Sequence, residues 1–292
     1  MPVVVRKMIL PGLTAHPEGA LVDRALQYLA GGPAGSETLT RQVLGIPQAS
    51  AAVADRLVAA VLGAVPRVGR LHDGRWALVG RAQGSPAIAE SAFAVVDVET
   101  TGGAPRRGDR ITELAVAVVQ GGRAEMVYGS LVNPERLIPQ AVTVVTRISN
   151  GMVRNGPTFA EIADDVFAAL AGRVFVAHNA AFDWRFLSSE LRRVRGLVLD
   201  GPRLCTVKLA RRLIPGLRSR SLDSVAGYFG IEMEERHRAG PDALATARIL
   251  QRLIALAVES GAQTFKDLAA LAEGRGRRRR RRRAHPATMD EA

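Results

Sequence analysis

The chain has 292 residues, 47% of them apolar, and a formal net charge of +12, which is enough length for one full domain and a smaller companion. A single cysteine, Cys205, excludes an internal disulfide. The start MPVVVRKMILPGL lacks the long apolar stretch of a signal peptide, and no apolar run reaches the roughly eighteen residues of a membrane helix, so the expectation is a soluble cytoplasmic protein with no membrane role. Eight arginines (Arg275 and Arg277 to Arg283) crowd one tail. Setting aside residues 274–292, with those eight arginines and two acids, leaves 32 basic against 26 acidic side chains. Three lysines (Lys7, Lys208, Lys266) against 37 arginines point to biased codon usage as much as to function. A mildly basic body permits a polyanionic partner without demonstrating one.

An N-terminal arm (1–18) is expected to precede a small domain over 19–82. Leu21, Ala25, Leu26 and Leu29 repeat at helical spacing up to Gly31-Gly32, Ser36 is a candidate N-cap for a second helix ending at Gly45, and Val53, Leu57, Ala60 and Val61 mark a third. Arg67 to Leu71 and Arg75 to Val79 then flank Asp73-Gly74, a dipeptide suited to a tight hairpin turn. Three helices and a two-stranded wing resemble a winged-helix module. The segment 83–92 reads as a linker, with Gly and Pro and no sustained period.

From Phe93 the run FAVVDVE is apolar on both faces and fits a central strand. Ile111 to Val119 and Glu125 to Val132, joined by Gly121-Gly122, continue the sheet antiparallel. Thr158 and Glu161 have capping-box spacing at the head of a helix that stops at Gly172. Arg173 to Ala177 is a strand, Ala181 to Val194 a helix, and after Leu204 the pattern is mainly helical, closing with a helix from Pro241 along Ala243, Ala247, Leu250, Ile254 and Ala257. These elements predict an α/β domain over 93–262, followed by a short helix and a disordered Arg-rich tail (263–292).

Three clusters carry candidate chemistry. Asp97 and Glu99 stand two apart at the end of an apolar strand, hence on one face. Burying two like charges together is costly, so a hydrated Mg²⁺ or Mn²⁺ between them is one economical explanation, and a strand edge facing water is the other. Gly102, after Thr100 and Thr101, permits close backbone approach to a ligand. In VAHNAAFD, a strand hands over to a helix with Asp183 in its first turn, where a carboxylate also suits the helix dipole. In HRAGPD, His237 precedes a helix that carries Asp242 near its start. Each of these residues, alone, has an ordinary structural alternative.

Together, in this order, the clusters resemble the DEDDh pattern of DnaQ-like 3′-5′ exonucleases, a family that includes the proofreading epsilon subunit of bacterial DNA polymerase III. IPQAVTVVTRISNGMV and VAHNAAFDWRFL are similar to further stretches of that family. The resemblance implies an RNase H-like (DnaQ-like) mixed sheet flanked by helices, preceded by the small winged-helix-like domain. It implies that Asp97, Glu99, Asp183 and Asp242 hold two divalent ions roughly 4 Å apart, with His237 as general base. Imidazole suits that task because it titrates near neutrality. Thr100, Thr101, Gly102, His178 and Asn179 are candidate substrate-side residues.

The implied activity is hydrolysis of nucleotides from single-stranded or frayed DNA 3′ ends, for proofreading or repair and with a DNA polymerase subunit as a possible partner. An exoribonuclease of the same fold and a non-catalytic nucleic-acid-binding adaptor are the alternatives. The helical module's six arginines against four acids between 20 and 80 favour neither duplex binding nor protein docking. The Arg-rich tail is a polyanion contact or a solvated terminus.

Overall fold

The structure, a computed structural model, describes residues 12–78, 85–233 and 235–274. The first part of the expected arm, Val79 of the expected wing, the first two residues of the expected linker and the Arg-rich tail lie outside the described residues. The chain opens with β1 (Thr14–Pro17) and then builds a helical unit from α1 (Ala20–Leu29), α2 (Ser36–Gln42), α3 (Ala51–Leu62) and the hairpin of β2 (Val68–Arg70) and β3 (Trp76–Leu78). Gly74 turns the hairpin at φ 81°, a conformation open to glycine at little steric cost. Trp76 and Ala34 exchange backbone hydrogen bonds, so the hairpin closes on the α1–α2 connection.

Two details of this unit differ from expectation. Ser36 does not cap α2, whose N-cap is Gly35; its hydroxyl instead donates to Asp55 Oδ1 (2.7 Å) and accepts from Trp76 Nε1 (3.0 Å), tying α2 to α3 and the hairpin. The buried line of α3 is Ala54, Val58 and Leu62, while Val53 is exposed. AAVADRLVAAVL is apolar nearly all round, so its periodicity allows more than one stripe and tertiary packing selects among them.

The main unit is a five-stranded mixed sheet. β4 (Phe93–Thr100) pairs antiparallel with β5 (Ile111–Gln120), which pairs with β6 (Arg123–Leu131) across Gly121-Gly122, both at positive φ. α4 (Gln140–Thr146) and α5 (Asn150–Val153) fold over a small cluster of Ile138, Ile148 and Val153. α6 (Phe159–Leu170) begins at the expected Thr158–Glu161 capping box. β7 (Val174–Ala177) lies parallel to β4, and α7 (Ala180–Arg195) follows it. Then come β8 (Leu197–Asp200), β9 (Arg203–Cys205) parallel to β7, α8 (Thr206–Leu213), α9 (Leu222–Tyr228), α10 (Ala239–Glu259) and α11 (Phe265–Glu273). The sheet order is β6-β5-β4-β7-β9.

Alternation along β4 splits the core in two. Ala94, Val96 and Val98 face α6 and α7, while Phe93 and Val95 face α8 to α11. Asp97 and Glu99 continue the second set, so both carboxyls leave the sheet on the side of α10. The pairing slips after Glu99: Glu99 faces Glu113 but Thr100 faces Ile111, a bulge that bends the strand as it enters the loop.

The expected domain limits need correction at three places. β1 pairs antiparallel with β8 and Leu13 is buried in the core between the sheet and α6–α7, so this part of the arm is a strand of the main unit. Gly12 sits so close to Gly172 that a Cβ would fall about 2.0 Å from a backbone carbon, which explains glycine there. Residues 85–92 are docked rather than loose: Ile88 is buried, its N–H bonds Gln263 O, and Phe265 N bonds Pro86 O. Helix α11, with Phe265 and Leu268 buried, completes the same core beyond the expected limit at 262. The helical unit is therefore an excursion held at both ends, further tied by Arg67 to Asp200 at 2.8 Å. No helix among the described residues is long and apolar enough to cross a membrane.

Candidate active site

Three segments converge at the carboxyl ends of β4 and β7, the crevice where α/β sheets commonly bind ligands. β4 supplies the partly buried Asp97 and Glu99, and the first turns of α7 and α10 supply Asp183 and Asp242, both buried. Their placement follows from local sequence. Asn179 adopts φ 77° as N-cap of α7, a left-handed conformation that asparagine tolerates better than most residues. His237 does the same at φ 59° immediately before α10, and its N–H donates to Asp242 Oδ2 at 3.2 Å. Helix α10 begins at Ala239, two residues before the expected Pro241, so Asp242 lies at the end of its first turn.

One oxygen of Glu99, one of Asp242 and one ring nitrogen of His237 lie within 4.8 Å of one another, with the His237 side chain exposed. The electrostatics are those of an under-compensated acid cluster. Burial first, then the charges of Asp183, Glu99, Asp242 and Glu113, push the Asp97 carboxyl well above the ordinary range. Glu99 is raised to about 7 by burial and by Asp242 and Glu113, against the opposing pull of Arg238 and Arg236. Burial likewise raises Asp183 to about 7, although its own backbone N–H and that of Val98 pull the other way. Asp242 is raised by burial despite Arg236.

The arginines are largely engaged elsewhere. Arg238 forms a two-pronged pair with Glu113 (Nη2 to Oε1 2.8 Å, Nε to Oε2 3.0 Å), and Ala239 N–H adds a third bond at 2.9 Å. Arg236 pairs with Asp223 and approaches Asp242 only at 3.5 Å. Asp242 Oδ1 is buried with no hydrogen-bond partner among the described residues. Four hard oxygen donors, raised together and with one orphaned, fit divalent cations of the Mg²⁺ or Mn²⁺ kind.

Glu113, Arg238 and Arg236 had no role in the sequence reading. Glu113 had a legible signal: it is the one charge in ITELAVAVV, the same kind of interruption that singled out Asp97 and Glu99. Its bond to Ala239 N–H fixes the start of α10 and with it Asp242.

Several candidate substrate-side residues turn inward. His178 uses both ring nitrogens inside the protein, Nδ1 with Thr206 Oγ1 at 2.9 Å and Nε2 with Arg220 O at 2.8 Å. The carbonyl partner requires Nε2–H, and burial lowers the imidazole's pKa, so the ring is a neutral strut linking β7, α8 and the loop before α9. Buried Thr101 accepts Arg110 N–H at 3.0 Å. Thr100 Oγ1 donates to Gly102 O at 2.6 Å. A Cβ on Gly102 would collide with the Asp109 carboxylate, so glycine there serves close packing of the loop. Asn179 is the exposed one of the five.

The sequence matches the family described as Exonuclease (RNase_T) over residues 94–250. DNA polymerase III subunit epsilon of Aquifex aeolicus is 32% identical over 167 residues, covering 57% of this chain and 82% of that protein. The 3′-5′ exonuclease DinG of Bacillus subtilis is 34% identical over 181 residues, which is 62% of this chain but 19% of DinG, so the chain spans under a fifth of that relative. Escherichia coli Exonuclease I in complex with a dT13 oligonucleotide aligns with a TM-score of 0.50 and 18% identity, covering 59% of this chain and 42% of that one, a likeness of fold. The matched residues span more than half of the sequence and contain the converging acids, and the chain belongs to the Exonuclease (RNase_T) family.

Proposed function

We propose that this chain is a 3′-5′ exonuclease that hydrolyses phosphodiesters at DNA 3′ ends. The observation that carries the reading is the set of four acids at the sheet's crevice, raised together and without enough positive charge to neutralise them. Asp97, Glu99, Asp183 and Asp242 would hold two divalent ions, whose chemistry when bound is to acidify a water and to offset charge on the scissile phosphate and leaving oxygen. Asp97, whose carboxyl feels the charges of Asp183, Glu99 and Asp242, would be one of the residues that hold these ions. His237 accepts the proton of the attacking water. Its exposed ring stands over Glu99 and Asp242, and its left-handed backbone is fixed by the bond to Asp242. Glu113 and Arg238 position Asp242 without touching substrate.

The name of the Aquifex relative, a polymerase subunit, supports a DNA polymerase partner, with proofreading or repair as the setting. Digestion of 5′-labelled single-stranded DNA, mismatched-end duplex DNA and RNA, each with Mg²⁺ or Mn²⁺ and with an Asp97→Ala control, tests the proposal. Stepwise shortening from the 3′ end of DNA, lost in the control, is expected. Equal digestion by Asp97→Ala would sink it, and faster digestion of RNA would move the substrate to the ribonucleases.

A further inference from the structure

A cleft of about 590 Å³ lies between the 105–107 turn and the outer face of α7. Its walls include Arg106, Trp184, Arg185, Ser188 and Arg192, and among the described residues no acid lines it. The cleft includes Trp184, next in sequence to Asp183, and Ala104, next after the Gly102-Gly103 loop. Resting on that reading, we infer that this cleft holds the phosphodiester backbone of the single strand on the 5′ side of the bond being cut.

The spacing supports a strand. Residues 184–185, 188 and 192 recur on one helical face, and the eight steps from Trp184 to Arg192 extend about 12 Å along the axis. That distance matches about three nucleotides at ~3.4 Å per stacked step. The walls are preset. Phase is given to the Trp184 ring by the Phe175 edge at 5.1 Å and by Arg203 stacked at 4.6 Å, and Arg185 Nε is pinned to Ala181 O at 3.1 Å. Arg192 is exposed, and its ion pair among the described residues is with the exposed Glu18, at 3.2 Å, a contact a phosphate can replace at small cost. Ser188 Oγ, on the same helical face, is buried and lacks a hydrogen-bond partner among the described residues. Three arginines, an unsatisfied hydroxyl and a fixed aromatic wall form a polar groove suited to a polyanionic chain.

The triple variant Arg106→Gln, Arg185→Gln, Arg192→Gln tests this, with three readouts. The first is kcat/KM on dT12 and dT2, the second the salt dependence of dT12 binding in an Asp97→Ala background, and the third hydrolysis of the p-nitrophenyl ester of thymidine 5′-phosphate, too small to reach the cleft. The expected result is a rise in KM on dT12 of at least about five-fold and a logarithmic salt slope smaller by roughly 2, from about 0.7 for each lost contact. Rates on dT2 and the ester should be unchanged. Unchanged dT12 kinetics and slope in a variant that still hydrolyses the ester would overturn the cleft assignment alone. If the parent chain cleaves neither ester nor oligonucleotide, the nuclease reading falls and the cleft assignment with it.

Discussion

Helix α7 carries two buried acids that the protein treats in opposite ways. Glu190, 2% exposed, accepts from Arg110 Nε at 2.7 Å, Arg193 Nη2 at 2.9 Å and Ile111 N–H at 3.3 Å. Asp183, two turns earlier and equally enclosed, has acids for neighbours and only backbone N–H groups to oppose its burial. Burial is common to both, so burial does not mark the functional site. What marks the proposed site is the absence of compensation, because an enclosed charge left unpaired costs several kcal/mol unless a proton or a bound cation offsets it.

Single substitutions should separate the two centres. Asp183→Asn is expected to lower 3′-end cleavage by on the order of 10³-fold and, in chelator at pH 8, to leave the melting temperature equal to or above the parent's. Labelled-strand digestion and thermal melts on the same preparation read both. A lower melting temperature with intact cleavage would reverse the assignment. Glu190→Gln should do the opposite, costing about 2 to 3 kcal/mol by leaving the mostly buried Arg110 under-paired, a drop of roughly 5–10 °C for a chain of this size. The folded fraction should keep the parent kcat.

Smaller in effect is the pH response. Glu99 and Asp183 titrate near about 7 in the folded chain, above ordinary carboxyls, so the native state holds their protons more tightly than the unfolded chain. Their stabilising contribution is complete at low pH, below the unfolded values, and is lost as pH rises towards and through 7. In chelator, then, the parent's melting temperature should fall between pH 5.5 and 8 by more than that of a Glu99→Gln, Asp183→Asn double variant. Parallel curves would contradict the shifts. The smallest effect is expected for Glu113→Gln, a loss of about 10- to 100-fold in metal affinity or rate, the usual reach of a residue that orients a ligand. Titration of activity against Mn²⁺ measures it.

The legible parts of the fold were those that sequence alone stabilises. β4 and β5 are long apolar runs, α6 has a reciprocal cap, and Gly121-Gly122 marks the turn into β6, so each appeared where expected. β1, β8 and β9 are three or four residues long, and β1 exists because Leu197–Asp200, far along the chain, offers it an edge; no local signal predicts that pairing. Docking of residues 85–92 on the start of α11 escaped for the same reason. At the site, the acids could be chosen because three ordinary-looking clusters recur in one order. His178 and Thr101 belong to the same stretches, yet their bonds run inward to partners distant in sequence, which spacing does not reveal. Arg238 and Glu113, 125 positions apart, form a pair that only the fold assembles.

The central claim is that the acids at the crevice lack compensation because divalent cations supply it. Melting at pH 8 with Mn²⁺ against chelator, for the parent and Asp97→Asn, tests this most directly. The account predicts that Mn²⁺ raises the parent's melting temperature by several degrees and leaves Asp97→Asn nearly unmoved. Equal shifts in both proteins, or none in either, would contradict it.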